Sequence, residues 1–590
     1  MPKPATVQRD RCGVGYDVDY DASRRVVGSS SNAKVTKGPR EGWRPTLGLG
    51  INSVTGLALI ALSGIILAVY EIVHLAGYSY PSGPTNSIFA ISPFDEGVYT
   101  ETGILIAHGY QLYGQIYSAQ PPLLPLALSL VERLPGSGLA DARWMVLGFG
   151  LLAVMGVAAV AGASKGWIAA GAAAILLVLS PEFLVYGHAI EEEIPMTALC
   201  LVSLALAMGW SRRKESELVA VSGFFFGLAV LTKFLAFSLL APLAIMVAIA
   251  AWEDRDRLWS LARDVLLFAV AALVPFGLSL AVWGHAEWNQ MVNDRLGATA
   301  DQAQLQSLSS LHLLRNFLSV DPGLAALAGL AAVALIARDW KVGLILDSWL
   351  GATLLILLRY HPLFGHHLAV LLGPMAVVSG AGVACLLPQS GEKQGFGFNP
   401  GGRAEPDGAQ GHAPANGLHG LIGVGAFLAG AGIVAYLALV PFQISAYGQL
   451  LVSTSPADRE LALVSTTVAQ YATRTGKVVA ADPVICVQAR RLCVPQTVDT
   501  SYVRVETGKL KDIITYTKDA GVQAVVLGRA LCLDPYMASY DRWVHAHFRL
   551  ILPATIDLPS GQCPWRSDNT IVRPHWQPGV YVLGARGLTP

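Results

Sequence analysis

Residues 92–128 read SPFDEGVYTETGILIAHGYQLYGQIYSAQPPLLPLAL, and the threading of the chain through a membrane turns on them. After Pro93, the acid pair Asp95-Glu96 opens a helix predicted over 95–109, with Tyr99 four residues from Asp95 and so on the same face. Carboxylates in a first helical turn are stabilised by the helix dipole. Asp95 can therefore be a plain cap or a reactive acid, and the local pattern allows both. The stretch runs into a short apolar segment, Pro121–Leu134. At 1.5 Å per residue it is too short to cross about 30 Å of hydrocarbon and suits an interfacial or re-entrant helix.

Outward from there the chain is dominated by longer apolar runs, near 50–76, 143–163, 166–184, 196–210, 218–232, 234–251, 265–284, 323–337, 342–358, 364–387 and 419–441. Composition agrees: of 590 residues 53% are hydrophobic and only 14% charged, against roughly 25% charged in a soluble domain. Mean hydropathy is +0.48. So large an apolar excess cannot be hidden in one globular core, which argues against a soluble enzyme, a nucleic-acid binder and a disordered scaffold. The expected fold class is an α-helical polytopic membrane protein of about 11 spans with a small C-terminal α/β domain. The first run reads as an anchor, not a cleaved signal peptide, because a long polar tail precedes it with no small-residue cleavage site behind it.

Lys and Arg set the orientation. The tail 1–48 carries nine basic residues against five acids and is expected to be cytoplasmic and disordered. If Pro121–Leu134 does not cross, the turns at Lys165, Arg212-Arg213-Lys214, Arg255, Arg257 and Arg263, and Arg338 and Lys341 all fall inside, with a flexible loop 388–418. The outside then receives the first loop 77–142, the acidic turn 185–195, the loop 285–321, the turn Arg359–Gly365 and everything after 442. The membrane domain is thus 49–441 and the extracytoplasmic domain 442–590. In the latter Lys477–Val487, Val522–Leu527 and Val580–Leu583 read as strands and Lys509–Ala520 as a helix. Four of the seven cysteines, Cys486, Cys493, Cys532 and Cys563, lie there. That compartment permits disulfides, Cys486–Cys493 and Cys532–Cys563 being one reading and four free thiols the other.

Ionisable groups at the outer borders are candidates for chemistry. Lys233 and Arg143 are ionised at membrane depth, where function and snorkelling to head groups are the competing explanations. Glu191-Glu192-Glu193 follow His188 as either a binding cluster or a solvated acidic turn. Arg359, His361, His366 and His367 crowd another border, where they can meet phosphate or acceptor. Two adjacent histidines on a helix face different ways, which argues against a joint metal site.

In order, these pieces are a hydrophobic span, Asp95-Glu96-Gly97, Tyr99, Leu112-Tyr113, Pro121-Pro122-Leu123, Arg143, Ser180-Pro181, Glu193-Ile194-Pro195, Leu231-Thr232-Lys233 and His366-His367 before Pro374. The set resembles the GT-C superfamily of membrane glycosyltransferases, in its bacterial branch related to protein O-mannosyltransferases and aminoarabinose transferases. The likeness covers roughly 50–385. It implies an integral, multi-pass inner-membrane enzyme that takes a sugar from a polyprenyl-phosphate donor and glycosylates an extracytoplasmic glycan, lipid or protein, with membrane lipids as surroundings and no nucleic acid. It also implies Asp95 as the base of an inverting transfer, with Glu96 as the acid beside it. Tyr99, Gln120, Arg143, Glu193, Lys233, Arg359, His366 and His367 are then substrate contacts. No cofactor is certain, though Asp95 and Glu193 are candidate ligands for a divalent cation. Many relatives have Lys before the Pro-Pro, where this chain has Gln120, which keeps hydrogen bonding but loses a charge. Two other readings are a transporter or flippase of lipid-linked sugar and a non-catalytic binding subunit. The first calls for midplane charges and inverted repeats, whereas the candidate ionisable residues lie at one face and no repeat is seen, and the acid pair argues against the second.

Overall fold

In hydrocarbon a backbone must satisfy its own N–H and C=O groups, so apolar runs have to become helices. The computed structural model describes residues 51–74, 93–134, 138–296, 310–360, 363–385, 415–450, 456–500, 504, 510–528, 531, 537–553 and 578–583. The expectations for the tail 1–48, for most of 388–418 and for Cys532 and Cys563 lie outside these residues. All eleven runs are helical. In chain order the membrane part consists of α1 (Ile51–His74), α2 (Pro93–Ala107), α3 (Leu123–Val131), α4 (Leu139–Lys165), α5 (Trp167–Val178), α6 (Pro181–Tyr186), α7 (Glu193–Arg213) and α8 (Ser216–Thr232). It continues with α9 (Leu240–Glu253), α10 (Leu258–Trp288), α11 (Ser310–Val320), α12 (Pro322–Arg338), α13 (Trp340–Arg359), α14 (Leu372–Ala384) and α15 (Ala415–Leu450).

Among the described residues eight helical segments are long and apolar enough to cross a membrane, and α11 with α12, bent by 101°, adds at most a ninth. The two remaining runs are α5, of 12 residues, and α8, of 17. As the Pro121–Leu134 reading requires, α3 has only nine residues. The segments containing α7 and α14 are the most enclosed, and the one containing α10 is the most exposed to the surroundings.

The helices alternate so that one end of the bundle collects Arg143, Glu193, Lys233, Tyr360 and His366. The other end collects Lys165, Arg213, Arg255, Arg338 and Lys341. Glu193 and Arg213, at the two ends of α7, stand about 30 Å apart at 1.5 Å per residue. At the basic end Lys165 Nζ pairs with Asp339 at 2.6 Å and Lys341 pairs with Glu253. Exposed Trp167, Trp252, Trp259 and Trp340 ring that end, the placement expected of side chains at a membrane interface.

The C-terminal part has α16 (Pro456–Tyr471), β1 (Val478–Ala480), α17 (Val484–Ala489), α18 (Ile513–Asp519), β2 (Ala524–Leu527), α19 (Met537–His547), β3 (Phe548–Pro553) and β4 (Gly579–Leu583). The sheet order is β1-β2-β4-β3, with β1 parallel to β2 and the other pairs antiparallel. The strand expected over Lys477–Val487 stops at Ala480. Pro483 fixes its own φ and the Asp482 Oδ1 accepts from the Val484 N–H at 3.1 Å, so a helix starts where the apolar run continues. The helix expected over Lys509–Ala520 is confined to α18. Strand β3 and helices α16 and α19 were not expected.

Helices α8 and α10 meet backbone to backbone at two glycines. A Cβ on Gly223 would stand 2.3 Å from Phe268 O, and one on Gly227 2.3 Å from Ala272 O. Gly227→Leu is therefore expected to destabilise the detergent-solubilised protein by about 3 kcal/mol, read as a lower thermal midpoint. Gly148→Ala, whose Cβ meets nothing within 4 Å, should leave the midpoint unchanged or raise it. Equal midpoints for the two variants would contradict this packing.

Candidate functional site

The acid pair sits in the first turn of α2, and its two members are used differently. Glu96 is fully buried and saturated: it accepts from Arg143 Nε at 3.1 Å and Nη2 at 2.6 Å and from the Ile190 N–H at 3.0 Å. One carboxylate thereby ties α2 to α4 and to the turn before α7. Arg143 is 1% exposed. The structure thus places the Arg143 guanidinium on Glu96, in an interior ion pair, and not at a head-group border.

Asp95 faces the other way. Ligating atoms of Asp95, Glu191 and His366 lie within 4.8 Å of one another, and so do those of Glu193, His366 and His367. Lys233 ends α8 in extended conformation, and its ammonium bonds Glu193 and stands 3.8 Å from Glu192. His366 and His367 open a 3-10 turn before α14, and their rings are 4.3 Å apart and edge-on. Both Nε2 atoms approach Glu193 Oε1, at 3.9 and 4.0 Å. The expectation that the two rings point apart is corrected: in this turn both reach one carboxylate. The His367 Nδ1 accepts from the Phe364 N–H at 3.1 Å, which leaves the ring proton on Nε2, aimed at Glu193. With the Lys233 ammonium bonded to it and a histidine N–H facing it, the Glu193 group suits an ion-paired cluster better than a metal. The set that fits a divalent cation is Asp95, Glu191 and His366.

Carboxylates outnumber cations here. Both oxygens of Glu191 are buried without a hydrogen-bond partner among the described residues, and Glu192 beside it is buried with the Tyr99 hydroxyl as its neighbour, a site able to receive hydroxyl donors or a cation. Burial pushes the Glu192 carboxyl up to about 8, with Lys233 pulling against it. Burial raises Glu191 as well, helped by Glu193 and Asp95. Tyr99 is held well above its ordinary value by burial and then by Glu192 and Asp95, so it stays a neutral hydroxyl facing the carboxylates.

Gln120 is joined to a residue that the sequence reading did not single out. Its Oε1 accepts from Arg295 Nη1 at 2.7 Å, and Arg295 also bonds the Tyr360 hydroxyl and lies 5.6 Å over that ring. Beyond Trp288 the chain makes a π-turn, Asn289–Asn293, which presents Gln290 to the Tyr113 carbonyl at 2.7 Å and to the Ser118 N–H at 3.0 Å. Such turns in a helix recur at functional sites. A signal was available: Arg295 is the one Lys or Arg between Arg263 and Arg315. Arg359, by contrast, is exposed at the end of α13, and its neighbour Tyr360 is the residue turned to the site.

A family model described as Dolichyl-phosphate-mannose-protein mannosyltransferase matches residues 119–283, from the Gln120-Pro121-Pro122 turn to the end of the straight part of α10. The solved structure of ArnT from Cupriavidus metallidurans bound to undecaprenyl phosphate is similar over 90% of this chain and 99% of its own, with a TM-score of 0.54 and 16% identity. The apo form of that protein is similar over 89% of this chain and 97% of its own, with a TM-score of 0.52 and 16% identity. Comparison with curated proteins gave no match. The chain has the GT-C fold of membrane glycosyltransferases, and the resemblance read from the acid pair and the ordered motifs after it is borne out.

The interior pair yields a prediction. Arg143→Met leaves Glu96 buried without its partner and should cost about 3–5 kcal/mol, seen as a fall in thermal midpoint. The double variant Arg143→Met with Glu96→Gln should be more stable than either single variant. Strictly additive losses would mean that the pair is not coupled.

Proposed function

We propose that the protein is a membrane glycosyltransferase that moves a sugar from a polyprenyl-phosphate carrier to an acceptor outside the membrane, with inversion and with Asp95 as base. The observation that carries this is the gathering around the His366-His367 pair of an acid, Asp95, and of two cations, Lys233 on the Glu193 that both rings face and Arg295 on the hydroxyl of Tyr360, whose ring meets His367 edge-on. A transfer of this kind needs a carboxylate on the acceptor side and fixed positive charge where the phosphate leaves. The acceptor hydroxyl attacks the sugar C1, Asp95 takes the hydroxyl proton, and the bond from C1 to the phosphate oxygen breaks. The departing phosphate takes the electron pair and gains negative charge. In this reading Arg295, reaching over Gln120, supplies the charge that Lys would carry at position 120. Glu191, Glu192 and Tyr99 are placed to hold sugar hydroxyls. A divalent cation held by Asp95, Glu191 and His366 would offset the excess of carboxylates.

The same reading puts the site end of the bundle outside the inner membrane and the basic end, with the tail 1–48, in the cytoplasm. The membrane domain is then 49–441, and 442–590 lies in the outer compartment, where the Cys486–Cys493 disulfide is chemically at home. The donor likeness is to ArnT, whose structure holds undecaprenyl phosphate. The acceptor is a glycolipid, a cell-envelope polysaccharide or a protein.

The test is transfer from a panel of labelled polyprenyl-phosphate sugars to a membrane-glycolipid extract by purified protein. Asp95→Asn should lower kcat by roughly 100-fold or more while donor-lipid binding persists, and Arg295→Met should weaken binding of the phosphate carrier. If a divalent cation is used, a chelator stops transfer and the added ion restores it. Transfer by Asp95→Asn at the wild-type rate would remove Asp95 as base. Lipid binding without transfer from any donor would favour a carrier or binding role instead.

A further inference from the structure

The back of α2 is held by a different part of the chain from its front. At 3.6 residues per turn Asp95 and Tyr99 share one face, while Gly97 and Glu101 share another, about 200° round from Asp95. Gly97 lies against the start of α17: a Cβ there would stand 2.2 Å from the Val484 N and 2.8 Å from its Cα. Only glycine lets these two backbones meet. One turn on, Glu101 is fully buried and its Oε1 accepts from the Cys493 N–H at 2.7 Å. Burial pushes this carboxyl well above the usual range against the pull of that N–H.

The two holding points are joined covalently, because Cys486 of α17 is disulfide-bonded to Cys493. The segment around Cys493 is in turn fixed to β1, with the Val478 N–H donating to Leu492 O at 3.0 Å and the Val494 N–H to Val478 O at 2.9 Å. Leu105, Leu112 and Ile116 from the first loop share one apolar cluster with Val478, Val484 and Ile485. The back of the acid-bearing helix and the C-terminal part therefore have a common core.

We infer that Glu101 is a positioning residue for Asp95, acting through the disulfide-closed loop 486–493, so that the C-terminal domain sets how α2 is rotated toward the site. The inference rests on the reading of Asp95 as the base. On a helix of about 5–6 Å outer radius a rotation of about 10° moves a side chain by about 1 Å, and a displacement of that size can cost about 100-fold in rate.

The experiment uses full-length protein in nanodiscs and two readouts: transfer from a labelled undecaprenyl-phosphate sugar, and hydrogen exchange of the backbone amides of 93–107. Glu101→Leu removes the acceptor and should lower kcat roughly 10- to 100-fold with donor KM within about twofold, and α2 amides should exchange faster. Glu101→Gln keeps the acceptor and should restore both readouts. The paired substitution Cys486→Ala with Cys493→Ala should reproduce the Leu phenotype and add little to it, since both break one hold. Wild-type kcat and exchange in Glu101→Leu would overturn the inference, as would equal losses in the Leu and Gln variants. If the cysteine variant fails to fold, the Leu and Gln comparison decides alone. If the wild type transfers from no donor, the reading of function fails, and exchange in the Leu and Gln variants still decides whether Glu101 holds α2.

Discussion

A carboxylate and a guanidinium buried together at the edge of a membrane have little water to solvate them, so each depends on the other and on hydrogen bonds around it. The Glu96–Arg143 pair meets that condition through two contacts from the guanidinium and a third from the Ile190 N–H. Three segments distant in sequence are pinned by one side chain. Because Glu96 is saturated in this way, the neighbouring Asp95 stands as the acid turned to Glu191 and His366. A pair of adjacent acids that looks alike in sequence is divided into a supporting and a facing member.

Charge around the facing acid is arranged by the ends of helices. Lys233 ends α8, Glu193 opens α7, and His366 and His367 precede α14, so that each reaches the site from a rigid element. Fixed groups that need no rearrangement are the kind of surroundings that favour a developing charge. Gln120 in the first loop is bonded at 2.7 Å to Arg295 from beyond α10. Positive charge is thus brought to the first loop from a residue 175 positions further along the chain.

The C-terminal part is more than a cover. Its β1 and α17 share an apolar cluster with the first loop, and a buried carboxyl on α2 receives one of its backbone N–H groups. The fold thus joins the acid-bearing helix to the bundle through Glu96 and to the sheet domain through Gly97 and Glu101.

The sequence by itself determined the membrane class, the helical runs and the shortness of the segment at Pro121–Leu134, and it singled out Asp95-Glu96, because hydropathy, length and helix-start chemistry are local properties. It also brought out the acids at one end of the bundle, Lys233 and the histidines, since ionised groups near hydrocarbon are conspicuous. Only the tertiary structure decided which of these groups meet. That Arg143 belongs to Glu96, that both histidines converge on Glu193 and that Arg295 meets Gln120 all depend on segments dozens to hundreds of residues apart. The turn at Asp482-Pro483 was readable but was outweighed by the apolar run around it. Glu101 carried no signal, because an acid on a helix of the first loop looks solvated until Cys493, 392 residues away, is folded against it. Pairing across such distances is set by packing, which no local pattern encodes.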